Sequence, residues 1–280
     1  MRAVALHADV LLATSAVLQA NCVIVRGRAA RPDPEPGPLH VIAPDDGPGD
    51  ETFVIDSPIL PEELSALGTL VQQARFPAPS GLLATHGDWD HLLGRLAFPD
   101  LALGCAHDTA ERLQSSPGEA QRELRSFDEE LMIDRDRPLS LGALQELPVP
   151  GRCELGAQEL ELHPAPGHTR DGMAVMAGWA GVLICGDYLS TAEIPSLGDG
   201  GGAEEYTRTL ERLRPLVARS GHVVPGHGPV LGRERALEVL EEDLSYVRSL
   251  RERGEAAELP RGRRSRAQRR LHAANAAALL

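Results

Sequence analysis

Residues 85–91 read Thr85-His86-Gly87-Asp88-Trp89-Asp90-His91 and follow the apolar stretch 81–84. An extended backbone presents alternate residues on one side, so His86 and Asp88 can converge, while Asp90 and His91 can open the next helix. The competing interpretation is a polar loop whose aspartates cap a helix. Two histidines and two aspartates in such close spacing favour a metal site at the end of a strand.

Three further segments place a histidine or an aspartate directly after apolar, strand-like residues. They are Pro166-Gly167-His168-Thr169, Cys185-Gly186-Asp187-Tyr188 and Pro225-Gly226-His227-Gly228. The glycine beside each candidate ligand allows a sharp turn and a close approach of the backbone to a metal. The predicted ligand set is His86, Asp88, Asp90, His91, His168, Asp187 and His227.

These four segments, in this order, resemble the metallo-β-lactamase superfamily over roughly residues 15 to 230. The match consists of a T-H-x-[H/D]-x-D-H signature, a P-G-H-T loop, a G-D strand end and a P-G-H-G loop, and it is nearest to the compact, glyoxalase-like branch. The resemblance implies an α/β fold, a four-layer αββα sandwich with a C-terminal helical extension. The metals would lie at the edge of the sandwich among its loops.

The resemblance also implies how two divalent metal ions would be held. The first would take His86, Asp88 and His168, the second would take Asp90, His91 and His227, and Asp187 would bridge them. Asp88 stands where the family usually has a histidine. Because a carboxylate is a harder donor than an imidazole, zinc is the first expectation and iron or manganese the alternative.

Three carboxylates nearly offset two divalent ions, and a bridging hydroxide would complete the balance. Bound metal lowers the pKa of water from 15.7 to about 7, which provides a nucleophile for a carbonyl or phosphoryl centre. Asp90 could orient this nucleophile or take its proton. Tyr188 could donate to a developing oxyanion or simply pack, and Arg170 could bind substrate. Asp56 fits either a carboxylate hydrogen-bonded near the metal loop or an ordinary turn aspartate, and Trp89 fits a pocket wall or a core side chain.

The leading functional hypothesis is a metal-dependent hydrolase of a small carbonyl substrate, either a thioester or a lactone. The alternatives are a phosphodiesterase or nuclease, an iron-dependent oxidoreductase of the persulfide-oxidising type, and a non-catalytic scaffold of the same fold. The short segment between Asp187 and His227 leaves no room for a large nuclease insertion. A scaffold would be expected to have lost several ligands.

Charge and composition limit the classes of partner expected for this 280-residue chain. It has 28 basic and 41 acidic residues, a net charge of -13, and every basic residue is arginine, which excludes Schiff-base and Walker-type lysine chemistry. The acidic body disfavours nucleic acid and anionic membranes and leaves a small-molecule substrate as the expected partner, with no preference for any oligomeric state. The exception is the Arg-rich tail, residues 261–270, which fits a solvated helix face paired with acidic residues or, less well, a nucleic-acid contact.

The predicted architecture is a domain over residues 1–230 with C-terminal helices, residues 231–280, packed on it. Strands are expected within 10–25, at 53–55, 81–85, 160–162 and 181–185, and from 223. Helices are expected from Pro61 towards Arg75, over 206–217, and over 237–247 with a stop at Gly254. Residues 31–50 read as a loop, and 107–150 give no clear assignment. Four scattered cysteines, no export signal and no long apolar run predict a cytoplasmic protein with structural thiols.

Overall fold

A computed structural model describes residues 1–30, 49–198 and 200–279. Within these ranges the chain forms thirteen strands and seven α-helices. The strands are β1 Arg2–His7, β2 Val10–Thr14, β3 Asn21–Gly27, β4 Glu51–Ile55, β5 Gly81–Leu83, β6 Leu103–Ala106, β7 Leu144–Leu147, β8 Gly151–Leu155, β9 Gln158–Pro164, β10 Met173–Ala177, β11 Val182–Ile184, β12 His222–Val224 and β13 Leu231–Gly232. The helices are α1 Pro61–Gln73, α2 Gly94–Ala97, α3 His107–Ser115, α4 Glu119–Leu131, α5 Ala203–Ala218, α6 Arg233–Arg253 and α7 Arg266–Ala278.

The strands of the described residues form two sheets. The first has the order β1-β2-β3-β4-β5-β6-β7, antiparallel up to β4 and parallel from β4 to β7. The second has the order β13-β12-β11-β10-β9-β8 and is antiparallel except for the parallel pair β11 and β12. Each sheet therefore contains parallel strands whose carboxyl ends can carry adjacent loops.

The layering follows from the two-residue alternation of strand side chains. In β3, Val23 and Val25 face the second sheet, whereas Cys22 and Ile24 face α1, α2 and α4. In the second sheet, Val175 and Ile184 face the first sheet, and the opposite face packs against α5, α6 and α7. The order of layers is helix, sheet, sheet, helix, so the predicted αββα sandwich is confirmed.

The predicted amphipathic helices have their apolar faces in the core. Pro61 begins α1, as expected for a residue that needs no hydrogen-bonded N–H in the first turn. Helices α5 and α6 pack both predicted stripes against the second sheet. Tyr206, Leu210, Leu213, Val217, Leu240, Leu244 and Val247 are buried there, and Leu237 is partly buried. Their boundaries extend beyond the periodic residues because polar residues continue each helix at its ends.

The C-terminal residues 231–280 contribute a strand to the second sheet as well as helices. β13 starts at Leu231, just beyond the predicted boundary at 230, and pairs with β12 as an edge strand of the second sheet. The Arg-rich tail is not a uniformly solvated helix face. Arg263 is buried before α7 begins and pairs with Asp243 of α6, and the five other arginines of the tail are exposed.

Other expectations differ from the structure in detail. The strand predicted over 81–85 ends at Leu83, because the chain turns there towards the candidate ligands. Residues 107–150 contain α3, α4 and β7, and the predicted loop 31–50 lies outside the described residues apart from its last two positions. All four cysteines are free thiols. None of the described helices is long and apolar enough to cross a bilayer, and the cytoplasmic location stays a prediction.

Candidate metal centre

Three of the four ligand loops begin where parallel strands end, and the fourth, with His168, follows the antiparallel strand β9. β5 leads into the loop with His86, β11 into the loop with Asp187, and β12 into the loop with His227. Backbone hydrogen bonds join the sheets at this edge, from Met173 N to Thr85 O at 2.7 Å, from Asn21 N to Gly226 O at 2.8 Å and from Gly228 N to Gln19 O at 3.0 Å. The ligand loops of the two sheets are therefore held against each other.

The first set consists of His86, Asp88 and His168, whose nearest ligand atoms all lie within 4.8 Å of one another. Asp88 Oδ2 is 3.4 Å from His86 Nε2 and 3.2 Å from His168 Nε2. One carboxylate oxygen and two imidazole nitrogens thus converge on a common point. The structure therefore brings together the three residues predicted for the first metal, and their binding of an ion stays a prediction.

The second set consists of Asp90, His91 and His227, again within 4.8 Å of one another. Asp90 Oδ2 is 3.1 Å from His227 Nε2, and Asp90 Oδ1 is 3.9 Å from His91 Nε2. Asp90 and His91 lie in the short 3-10 helix Trp89–His91, which directs their side chains inwards, and all three residues are buried.

Asp187 faces both sets. Its Oδ2 is 3.4 Å from His168 Nε2 and 3.5 Å from His227 Nε2, and its Oδ1 is 3.3 Å from His91 Nε2. Among the described residues, His86 Nε2, His91 Nε2 and Asp187 Oδ1 are buried and, despite these short distances, make no hydrogen bond of normal geometry. Buried polar atoms are normally satisfied, so these converging atoms fit a site for cations.

Two histidines are oriented by groups outside the site. His91 Nδ1 lies 3.0 Å from Asp56 Oδ2 and 3.3 Å from Thr85 Oγ1, and His227 Nδ1 donates to the carbonyl oxygen of Leu18 at 3.1 Å. These bonds leave Nε2 of each ring as the atom with a free lone pair, directed at the site. Asp56 also accepts hydrogen bonds from Thr85 N and Oγ1, at 2.8 and 2.9 Å, so it braces the metal loop rather than forming only a turn.

Asp88 has a second partner that the sequence did not indicate. Arg112, on α3, donates through Nη2 to Asp88 Oδ1 at 2.8 Å and through Nη1 to Asp171 Oδ1 at 3.0 Å. Asp171 in turn accepts from Gly87 N at 2.9 Å. The Asp88 side chain makes no capping hydrogen bond to the described backbone of the 3-10 helix, so the helix-cap alternative does not apply.

The carboxylates and imidazoles shift each other's pKa values. Burial alone would lower the pKa of His168, but the Asp88 and Asp187 carboxylates raise it to about 9. Burial would likewise lower the pKa of His91 and His227, and the adjacent carboxylates raise both well above the usual range. Burial would raise the pKa of Asp187, yet His227 and His91 hold it well below its usual range. The carboxylates together thus create a strongly negative potential suited to cations.

Two glycines are required by the geometry. A Cβ at Gly226 would overlap Asp187 Oδ1 and lie 2.9 Å from His91 Cε1, so only a glycine lets this loop approach the Asp187 carboxylate. Gly167 has a φ of +128°, which L side chains rarely adopt, and a Cβ there would collide with the backbone of Tyr206.

Three residues were considered for contacts with substrate or for the pocket wall, namely Tyr188, Arg170 and Trp89. Tyr188 is buried; its hydroxyl donates to Pro166 O at 2.8 Å and accepts from His168 N at 3.0 Å. Its proton is therefore already used to fix the His168 loop, and the expectation that it donates to an oxyanion is not supported. Arg170 is exposed. Trp89 packs on Phe127 with ring centroids 4.6 Å apart, which agrees with a packing role.

Four further residues support or adjoin the site without belonging to a recognisable motif: Arg112, Asp171, Asn21 and Glu193. Asn21 Nδ2 donates to Pro225 O and Gly228 O, both at 2.8 Å, and so holds the loop of His227. Glu193 has a carboxylate oxygen within 4.8 Å of ligand atoms of Asp187 and His227. Of these four, Asp171 is the residue that the sequence could have suggested, because it is close to His168 in the chain. The others come near the site through tertiary folding.

A separate cleft of about 190 Å³ lies between α1 and residues 96–98 and 135–137. Within the described residues, no group of candidate metal ligands lines it. The convergent histidines and carboxylates therefore mark the functional site better than this cleft does.

Comparison with known proteins agrees with this geometry. The sequence profile described as "Metallo-beta-lactamase superfamily" matches residues 77–227, more than half of the chain. The chain belongs to the metallo-beta-lactamase superfamily. No curated protein sequence matches it.

Solved structures of the superfamily share the fold at low sequence identity. Metallo-beta-lactamase family protein TTHA1429 from Thermus thermophilus has a TM-score of 0.64 and 18% identity, covering 99% of this chain and 93% of its own. The superfamily protein ST1585 from Sulfolobus tokodaii has a TM-score of 0.59 and 14% identity, covering 96% and 98%. TTHA1623 in a di-iron-bound form has a TM-score of 0.55 and 18% identity, covering 81% and 97%. Identities this low establish the fold alone.

Proposed function

We propose that this superfamily member is a metal-dependent hydrolase that uses two divalent ions against a small carbonyl substrate, a thioester or a lactone. The observation that carries the proposal is the convergence of seven donors, with Asp187 facing both sets and buried nitrogens left unpartnered. Membership of the superfamily, whose fold typically supports metal-dependent hydrolysis, agrees with it. A scaffold that had lost its chemistry would not be expected to keep every ligand position.

The residues have separate tasks in this proposal. His86, Asp88 and His168 would hold the first ion, and Asp90, His91 and His227 would hold the second. The Asp187 carboxylate lies close to both sets. When bound, such ions supply water that ionises near neutral pH and polarise a substrate carbonyl.

Asp90 is the proposed proton acceptor of the reaction. Its Oδ2 is engaged by His227 Nε2 at 3.1 Å, whereas its Oδ1 is 3.9 Å from His91 Nε2, beyond hydrogen-bond distance. Oδ1 is therefore the oxygen that can take a proton from the attacking water and pass it to the leaving group. Tyr188 contributes by fixing the His168 loop through Pro166.

The substrate is proposed to approach beside Asp88 and His168. Their side chains are 23% and 14% exposed, whereas that of His91 is only 2% exposed. This side of the site is the more open one, and the opposite side is closed by the core. Arg112 lines the opening, but its guanidinium already serves two carboxylates.

Zinc is the first metal that we propose for the site. Iron and manganese are the alternatives, because the carboxylate of Asp88 is a harder donor than an imidazole. The same residue supports a second candidate function, an iron-dependent oxidoreductase of the persulfide-oxidising type. A nuclease is disfavoured because the acidic body repels polyanions and no large insertion separates Asp187 from His227.

The test is elemental analysis of protein purified without chelator, with thioesters, lactones and phosphodiesters assayed on the same sample. We expect up to two ions per chain and hydrolysis of an acyl substrate, with both lost in His168→Ala and His227→Ala. No stoichiometric metal after reconstitution with Zn, Mn and Fe would contradict the proposal. Faster metal-dependent cleavage of RNA or DNA than of every acyl substrate would replace it with the nuclease hypothesis.

A further inference from the structure

The loop after Asp187 places an additional carboxylate beside the second set of ligands. Glu193, half-buried on this loop, has an oxygen within 4.8 Å of ligand atoms of both Asp187 and His227. The neighbouring His91 Nε2 and Asp187 Oδ1 are buried and unpartnered among the described residues. Glu193 thus adjoins donor atoms that independently point to a bound cation.

The loop carrying Glu193 is held from behind by the C-terminal segment. Arg263 Nη1 donates to the carbonyl oxygens of Ser190 and Glu193, both at 3.0 Å. Gln268 Oε1 accepts from Ile194 N at 2.7 Å. These contacts come from two buried side chains of the C-terminal segment and reach backbone atoms on either side of the glutamate.

The same bracing continues along the loop. Asn275, which is 1% exposed, accepts from Leu197 N at 3.0 Å and donates to Pro195 O at 2.7 Å. Ser190 Oγ accepts from Glu193 N at 3.1 Å and donates to His227 O at 2.7 Å. One serine therefore fixes the backbone of Glu193 and that of a metal ligand together.

Arg263 is itself anchored in the core of the second helical layer. It contacts Asp243 Oδ1 at 2.5 Å and Glu242 Oε2 at 3.0 Å, and its side chain is 1% exposed. Burying an arginine requires that its charge and donors be satisfied, and here α6 supplies the charge while the loop supplies carbonyl acceptors. This arrangement gives the Arg-rich tail a structural task at the candidate site.

We propose that Glu193 is a further carboxylate donor at the second metal position, held there by Arg263 and the C-terminal segment. The proposal rests on the proposed function, because it requires a metal pair. A fourth carboxylate adds one negative charge to the three carboxylates and the hydroxide that would offset two divalent ions, and Arg112 beside Asp88 supplies a compensating positive charge. Beyond Asp90 and Asp187, Glu193 would be the third oxygen donor at the second position, which raises the coordination number and so favours manganese or iron over four-coordinate zinc.

The experiment is a titration of metal-free protein with Mn²⁺ and with Zn²⁺ against a competing chelating indicator. Glu193→Gln keeps the shape of the side chain and removes its charge, and Glu238→Gln, on the exposed face of α6, is the matched control. We expect Glu193→Gln to weaken the second ion by about 10-fold or more, with Mn²⁺ affected more than Zn²⁺. Glu238→Gln should match the wild type.

A second variant and a spectroscopic readout complete the test. Gln268→Ala removes the hydrogen bond to Ile194 N and should weaken the same ion in the same direction, by less. The absorption of the Co²⁺-loaded protein should change towards lower coordination in Glu193→Gln. Two ions in the wild type with unchanged affinity and spectrum in Glu193→Gln would overturn this proposal alone. A wild type that binds no metal would overturn the proposed function as well.

Discussion

Asp88 is the residue at which this chain departs from the usual ligand pattern of its superfamily, and its two oxygens have different surroundings. Oδ2 faces the nitrogens of His86 and His168, whereas Oδ1 is bonded to Arg112. An imidazole at this position would be neutral, and a carboxylate adds a negative charge. Arg112 offsets part of that charge and also prevents the carboxylate from rotating, so it offers one oxygen to the site.

Substitutions at Asp88 should therefore act on the first metal position. We expect Asp88→Ala to release the first ion while the second is retained, because the second has its own three ligands. Asp88→His should bind both ions and shift the preference towards zinc, since imidazole is the softer donor. Metal titration of the two variants measures this directly. Wild-type occupancy and metal preference in both would show that Asp88 is not a ligand.

Local sequence signals predicted some elements well because those elements are locally determined. The apolar stripes of α5 and α6 and the proline at the start of α1 arise within one segment each, and the structure follows them. Helix α4 was not predicted although Ala120, Leu124, Phe127 and Leu131 repeat at helical spacing along it. Only Ala120 and Leu124 of this stripe are fully buried, and the remaining residues are polar, so the apolar signal is short and interrupted by charged residues.

The residues of the candidate site likewise fall into those that a local pattern predicts and those that it does not. The ligands proposed from the sequence lie in short segments in which a glycine stands beside a ligand, so they could be predicted from local pattern. Arg112, Glu193 and Arg263 reach the site from α3, a loop and the C-terminal segment, without such patterns. Their roles depend on which helices and loops the fold brings together.

The start of α1 depends on a buried carboxylate whose contribution should vary with pH. Glu63 accepts hydrogen bonds from Ser15 Oγ at 2.6 Å, Ala16 N at 2.9 Å and Leu60 N at 3.2 Å. Burial alone would raise the pKa of Glu63, but these bonds outweigh it and lower the pKa. A lowered folded-state pKa stabilises the protein above the unfolded value of about 4.3, and the stabilisation is lost as the pH falls through the folded value.

Glu63→Gln should therefore lower the free energy of unfolding at pH 7 by about 1–3 kcal/mol, because charge-assisted bonds are lost and a buried N–H loses its partner. The difference from the wild type should shrink as the pH falls below about 4.3. Denaturant unfolding at several pH values measures it. Glu62→Gln, on the exposed neighbour in the same helical turn, is the control. A difference that is constant with pH would contradict the assignment of the effect to the carboxylate.

The C-terminal segment links the second helical layer to the candidate site, although the sequence suggested a mainly solvated basic face. Arg263 is the arginine of the tail that enters the core; the other five are exposed. The number of arginines in the tail therefore says little about its role. The buried position of Arg263 is more informative, because it links the tail to the candidate site. Nucleic-acid binding by the exposed arginines stays a disfavoured prediction.

Truncation after residue 260 should destabilise the protein rather than only remove charge. It removes Arg263 from its buried pair with Asp243 and also uncovers the helical layer on which α7 packs, and we expect a loss of roughly 3–5 kcal/mol, the cost of breaking one buried pair. For a protein of this size that is a fall in Tm of about 6 °C or more. Replacing the five exposed arginines of the tail by glutamine in the full-length chain should leave Tm unchanged. Calorimetry on both variants distinguishes the two effects, and equal melting temperatures for truncated and intact protein would refute the expectation.

The ligand loops come from both sheets, and this division has a kinetic consequence. His86, Asp88, Asp90 and His91 follow a strand of the first sheet, and His168, Asp187 and His227 belong to loops of the second. Ions bound between them would act as a removable cross-link joining chain segments that are far apart in sequence, much as a disulfide closes a long loop. The sheets could then separate only after metal release, so the lifetime of the loaded protein against a protease would be governed by the rate at which the ions dissociate.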